Sequence, residues 1–151
     1  MDKGSIEVLK ENLNAVNLSL KRLMYSFEIC SKTGLKDSYS DEEFVAFEAM
    51  TSRYARTTDM LVNKVLRSLD TVEYIDSGTA IDAANNAEKR GIANSQDLRK
   101  FKDLRNSIAH EYVTENIIRF FAKVLEFTPF LDRVIKSLNS YCSKYLEDND
   151  K

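Results

Sequence analysis

A chain of 151 residues, 43% hydrophobic and 30% charged, is long enough to bury one core and too apolar to be disordered over most of its length. Four glycines and one proline are too few for the corners of a strand-rich fold, and no apolar run approaches the roughly 20 residues of a membrane helix. The net charge of −2 supplies no chain-wide attraction to nucleic acid, so an RNA contact requires a local basic patch.

Apolar residues recur at Ile6, Leu9, Leu13, Val16, Leu20, Leu23, Phe27 and Cys30. That three-four spacing predicts one helix of about seven turns, stopped by Gly34. Ser40-Asp41-Glu42-Glu43 reads as an N-cap with its capping-box glutamate. The second helix then carries Phe44, Phe47, Tyr54, Leu61, Val65, Leu69 and Val72, with polar Thr51 and Thr58 interrupting the stripe. It is expected to end before Asp76-Ser77-Gly78.

A short Ala-rich helix is predicted from Thr79 to about Arg90, closed by Gly91. Asn94 or Ser95 caps a fourth helix with Leu98, Phe101, Leu104, Ile108 and Tyr112 on its apolar face. The last helix is expected to begin near Thr114, with Ile117, Phe121, Val124, Leu131, Ile135, Leu138, Cys142 and Tyr145 as its stripe. Pro129 inside it removes a backbone donor and predicts a kink. Ile118, Phe120, Phe127, Phe130 and Val134 add a second apolar face, which suits either a central helix or a subunit contact. The expectation is one all-α domain over 1–146, an up-and-down bundle of four or five helices, with a polar tail over 147–151 that frays.

Cys30 and Cys142 lack metal-ligand spacing and read as buried thiols in a reducing compartment. No N-terminal stretch has the form of a secretory leader, so the expected location is cytoplasmic.

The chemistry concentrates in Arg105-Asn106-Ser107-Ile108-Ala109-His110-Glu111-Tyr112, which holds the chain's lone histidine. Residues advance 100° each around a helix. With Phe101 at the centre of the buried face, Arg105 falls about 40° away and His110 about 180° away. An arginine at the margin of an apolar stripe must snorkel, find a carboxylate or face a cleft. Asn106 and His110 are an i,i+4 pair on one face, with Asp103 beside them. Arg105 and His110 lie about 140° apart, so they converge only if the helix unwinds, the Arg side chain wraps back, or a second subunit supplies the other half.

Lys89, Arg90, Arg99, Lys100, Lys102 and Arg105 outnumber Asp97 and Asp103 in this stretch, a modest positive field suited to phosphates. An imidazole with pKa near 6.5 is fitted to take the proton of a ribose 2′-hydroxyl. A guanidinium stabilises charge on the phosphoryl oxygens, and Asn holds the imidazole or a phosphate oxygen. No metal or other cofactor is needed for that chemistry, and the product carries a cyclic phosphate.

The string Leu104-Arg105-Asn106-Ser107-Ile108-Ala109-His110-Glu111-Tyr112 resembles the Arg-x4-His-x-Tyr signature of HepT-type HEPN proteins. The likeness takes in the stretch 87–104 and the helical bundle, while motif identity covers about nine residues. The resemblance implies a ribonuclease toxin acting on an RNA such as tRNA, in which Arg105 and His110 are catalytic and Asn106 is a supporting group; Asp103, Lys102 and Arg99 are supporting or binding candidates from their place in the same stretch. It further implies a homodimer whose paired motifs line one cleft, and an MNT-type nucleotidyltransferase partner that attaches AMP to Tyr112. A related branch implies the rival reading, a non-catalytic subunit that binds a nucleotide or the nucleotidyltransferase. A purely structural helical protein dimerising through its last helix is the third.

Overall fold

The computed structural model describes residues 2–76, 78–114 and 116–147, of which 112–114 are described by backbone alone. It is an all-α bundle, with no strand among the described residues. Helix α1 spans Lys3–Thr33, capped by the Asp2 carboxylate at the Gly4 amide and stopped at Gly34, whose φ of 75° is the left-handed form expected there. Helix α2 (Asp41–Asp59) opens on Ser40 with the full capping box to Glu43. It continues without a break through a π-helical segment, Met60–Val65, into α3 (Leu66–Val72). Helix α4 (Ala80–Lys89) is capped by Thr79 with its own box to Asp82, and Gly91 follows it at φ 75°. Helix α5 is Ser95–Thr114. A 3₁₀ turn (Ile117–Phe120) precedes α6 (Phe121–Glu147), which runs through Pro129. Residues 148–151 of the expected tail lie outside the described residues.

Side-chain hydrogen bonds define the packing directions. Asn12 meets Ser68, Ser19 meets Thr57 and Ser26 meets Arg53, so α1 and the α2–α3 helix are antiparallel. Tyr54 meets the Phe101 carbonyl and Asp59 meets Arg105, so α2 and α5 run the same way. The core is filled by the stripes read from spacing, among them Leu9, Leu13, Val16, Leu23, Phe47, Tyr54, Leu61, Leu98, Ile108, Val124, Leu131 and Ile135. Phe47 and Phe121 stack with ring centroids 4.9 Å apart, joining α2 to α6.

Three details differ from expectation. Thr51 and Thr58 do not interrupt the α2 stripe, because both are buried within it. The Thr51 hydroxyl donates to the Phe47 carbonyl, which removes the penalty of burying it. The last helix starts at Phe121 rather than near Thr114, because α5 itself runs to Thr114 and the 3₁₀ turn intervenes. The second apolar face expected of the last helix is split between the 3₁₀ turn and α6 and is mixed: Phe120, Phe127 and Val134 pack partly onto the core, while Ile118 and Phe130 are exposed.

Candidate functional site

Helix α5 carries the motif, and its rotation is fixed from three sides. Asn94 caps it, its Oδ1 accepting from the Gln96 amide at 2.7 Å. Leu98, Phe101, Leu104 and Ile108 are buried. The Tyr54 hydroxyl donates to the Phe101 carbonyl at 3.1 Å, and the Phe101 ring meets Phe127 of α6 edge-on at 6.1 Å. With that face committed, the other described side chains of α5 have set directions.

Arg105 finds a carboxylate. Its Nε lies 2.7 Å from Asp59 Oδ1, and both side chains are about one-third exposed (34% and 37%). Asp59 is the last residue before the π segment, the kind of helix irregularity found disproportionately at functional sites. Arg105 Nη1 donates to Asn106 Oδ1 at 3.2 Å, so the side chain wraps back toward the face that bears Asn106. His110 is exposed, with no hydrogen bond or ion pair to its side chain among the described residues. The helix stays regular from Ser95 to Thr114, so it does not unwind before His110. Within one chain, then, the Arg105 and His110 backbone positions are offset by about 7.5 Å along the axis and face different ways, with Asn106, on the His110 side, hydrogen-bonded to Arg105 alone of the two.

The remaining motif residues divide between two surroundings. Arg99 is exposed and Lys102 half-buried. Asp103 lines a groove of about 380 Å³ between α5 and the start of α6, together with Lys100, Ser107, Arg119, Lys123 and Phe127. Arg119 and Lys123 lie over the Phe120 and Phe127 rings, each 5.6 Å from the centroid. A long ion pair, 3.7 Å, links Arg119 to Glu111 near the end of α5. The Tyr112 side chain lies outside the described residues.

Arg90 does not belong to the phosphate-facing cations. It is buried where α3, α4 and α6 meet, with Nε 2.6 Å from Glu73 Oε1 and Nη1 2.7 Å from Asp70 Oδ1. The second contact is a charge contact without hydrogen-bond alignment, which leaves Nη1 and Nη2 unsatisfied as donors. Tyr141 and Tyr145 both donate to Glu73 Oε2, the former at 2.8 Å. Burial pushes the Glu73 carboxyl up, but the hydrogen bonds from Tyr145, Tyr141 and Arg90 outweigh it and hold the group below its usual range. This cluster ties the end of α4 to α3 and α6.

Both cysteines are free and buried, Cys30 pushed up to about 11 and Cys142 to about 12, in each case chiefly by burial. Among the described residues no three His, Cys, Asp or Glu side chains come together as metal ligands. Asp59 is the site residue that spacing missed. It lies on another helix, and nothing local marks it as the partner of Arg105. Compared with protein families, with curated proteins and with solved structures, the chain matches none.

Proposed function

We propose that this protein is a HEPN-type endoribonuclease, the cytoplasmic toxin of a toxin–antitoxin pair, cleaving RNA without a metal through Arg105 and His110. The observation that carries the reading is the Arg105–Asn106 hydrogen bond, which draws a surface guanidinium toward the side of α5 that presents a free imidazole. A guanidinium held by Asp59 at Nε still has Nη donors for a phosphate.

In this scheme neutral His110 removes the 2′-hydroxyl proton and the 2′-oxygen attacks the adjacent phosphorus. Arg105 takes up charge on the phosphoryl oxygens. The P–O5′ bond breaks, and the leaving 5′-oxygen takes a proton from the protonated His110 of a second copy. The products are a 2′,3′-cyclic phosphate and a 5′-hydroxyl. A homodimer pairing two motifs supplies that second imidazole and closes the angle that one helix leaves open. An MNT-type nucleotidyltransferase that transfers AMP to Tyr112 is the antitoxin in this reading.

Expression alone is expected to arrest growth, and His110→Ala or Arg105→Ala to relieve the arrest with folding intact. Purified protein that leaves total RNA and tRNA whole in chelator-treated buffer, without its partner, rules the enzyme out. A monomer by light scattering at micromolar concentration rules out the composite cleft.

One observation favours a second reading, a nucleotide-binding subunit without catalysis. The α5–α6 groove has the size of a small-ligand site and joins Lys100, Arg119 and Lys123 to the Phe120 and Phe127 rings. Saturable ATP binding lost in Lys123→Gln, in a protein that is not toxic and co-elutes with a nucleotidyltransferase, supports this reading over the first.

A further inference from the structure

A second concentration of positive charge lies away from α5. Lys21 and Arg22 of α1 and Arg53 and Arg56 of α2 line two adjoining hollows between these helices, about 130 and 310 Å³, which share Leu18, Arg22 and Arg53. No acidic residue lines either hollow. None of the four cations has an ion pair among the described residues. Asp59, the acidic residue nearest Arg56 in sequence, is taken up by Arg105. Arg53 is held in place, its Nη1 donating to the Arg22 carbonyl at 3.1 Å and to Ser26 Oγ at 2.7 Å, with its other nitrogens left over. Tyr25 stands at the edge of the patch, 67% exposed.

We propose that this α1–α2 patch is the surface that holds the phosphate backbone of a single RNA strand, with a base stacked on Tyr25. The inference rests on the ribonuclease reading and extends it to the substrate-holding surface. Four cations with no counter-charge favour a polyanion. An exposed aromatic ring beside them fits unpaired bases, whose faces stack irrespective of sequence. A second copy of this chain is a poor occupant, because a two-fold contact there sets the same four positive charges against themselves. The patch is continuous with the proposed chemistry. Arg56, Asp59 and Met60 share one face of the helix, Arg56 and Met60 line the hollow, and Asp59 carries Arg105. A strand crossing from Tyr25 toward Arg56 arrives at the Arg105 guanidinium.

The test is fluorescence anisotropy of the full-length protein with a labelled single-stranded oligonucleotide, 2′-O-methylated throughout so that it lacks the attacking hydroxyl. Four phosphate contacts predict a slope of log K against log salt of about −2.8. Lys21→Gln/Arg56→Gln, both exposed positions, should weaken binding roughly tenfold at low salt and reduce the slope by about 1.4. Tyr25→Ala should weaken it roughly fivefold or more with the slope unchanged. Lys3→Gln/Lys64→Gln makes the same change of charge elsewhere on the surface and should move neither, and circular dichroism confirms that each variant is folded.

A comparable loss from Lys100→Gln/Lys123→Gln moves the strand to the α5–α6 groove and overturns the inference. So does a wild-type protein that ignores the oligonucleotide and binds anionic vesicles or an acidic protein through the patch. The uncleavable strand separates the two proposals. Patch-dependent binding without cleavage of the matching ordinary RNA sinks only the ribonuclease. Cleavage indifferent to the patch variants sinks only the patch.

Discussion

Replacing Arg90 by methionine puts a number on the cluster that sets α4 against α3 and α6. Asp70 is fully buried and the Arg90 side chain is 6% exposed, with 2.7 Å between their charged atoms. Methionine keeps most of the apolar stem and removes the charge, leaving a buried carboxylate whose remaining donor is Asn86 Nδ2 at 3.3 Å. Breaking one side of a buried pair costs about 3–5 kcal/mol. In a domain of this size each kcal/mol lowers Tm by roughly 2–4 °C, so the melt should fall by about 6–20 °C. Adding Asp70→Asn removes the stranded charge but keeps a group that Asn86 can bond, so the double variant should recover at least about 1 kcal/mol over Arg90→Met alone. Urea unfolding followed by circular dichroism measures all three proteins. A loss under about 1 kcal/mol for the single variant, or no recovery in the double, refutes the account. Folded Arg90→Met should also bind RNA like the wild type, since a buried arginine holds no phosphate. Lost affinity at full stability would return Arg90 to the positive field that sequence alone assigned it.

Other predictions are simpler. Asp59→Asn should change stability by no more than about 1 kcal/mol, because its pair with Arg105 is partly exposed. It should slow single-turnover RNA cleavage by releasing the guanidinium, with KM little changed; an unaltered rate would deny Asp59 a positioning role. The folded Glu73 carboxyl titrates below its ordinary 4.5, so its stabilisation is complete above that value and disappears as pH falls through the folded value. Urea midpoints from about pH 6 to pH 3 should therefore decline less steeply in Glu73→Gln than in the wild type. At about pH 8 neither Cys30 nor Cys142 should react with a thiol reagent in the native protein, and both should react in denaturant. Rapid native labelling of either would contradict its burial.

Apart from the start of α6, the helices were legible in local spacing. The Ser40–Glu43 box, Gly34, Thr79, Gly91 and the three-four stripes act within a turn or two of themselves, so local spacing carries them. Thr51 was misread because a polar side chain breaks a stripe on paper, whereas a hydroxyl returned to the preceding turn is at home in a core, and Thr58 is buried in the same stripe. The π segment at Met60–Val65 has no local marker in composition.

The sequence named the α5 candidates, but neither Asp59 nor the geometry around Arg105. Spacing alone set Arg105 and His110 about 140° apart on α5, since the angle follows from helical pitch and nothing else. Which way Arg105 turned depended on Asp59, 46 positions away on a helix brought alongside by the core. The same holds for the four cations of the α1–α2 patch. Lys21 and Arg22 are 31 or more residues from Arg53 and Arg56, and only the antiparallel packing of two apolar stripes makes them neighbours. Arg90 shows the converse, a charge that looked available in the chain and is consumed by Asp70 and Glu73 once α3, α4 and α6 close over it. Helix formation and facing are decided by neighbours in sequence, while the fate of each charge is decided by what long-range packing sets against it.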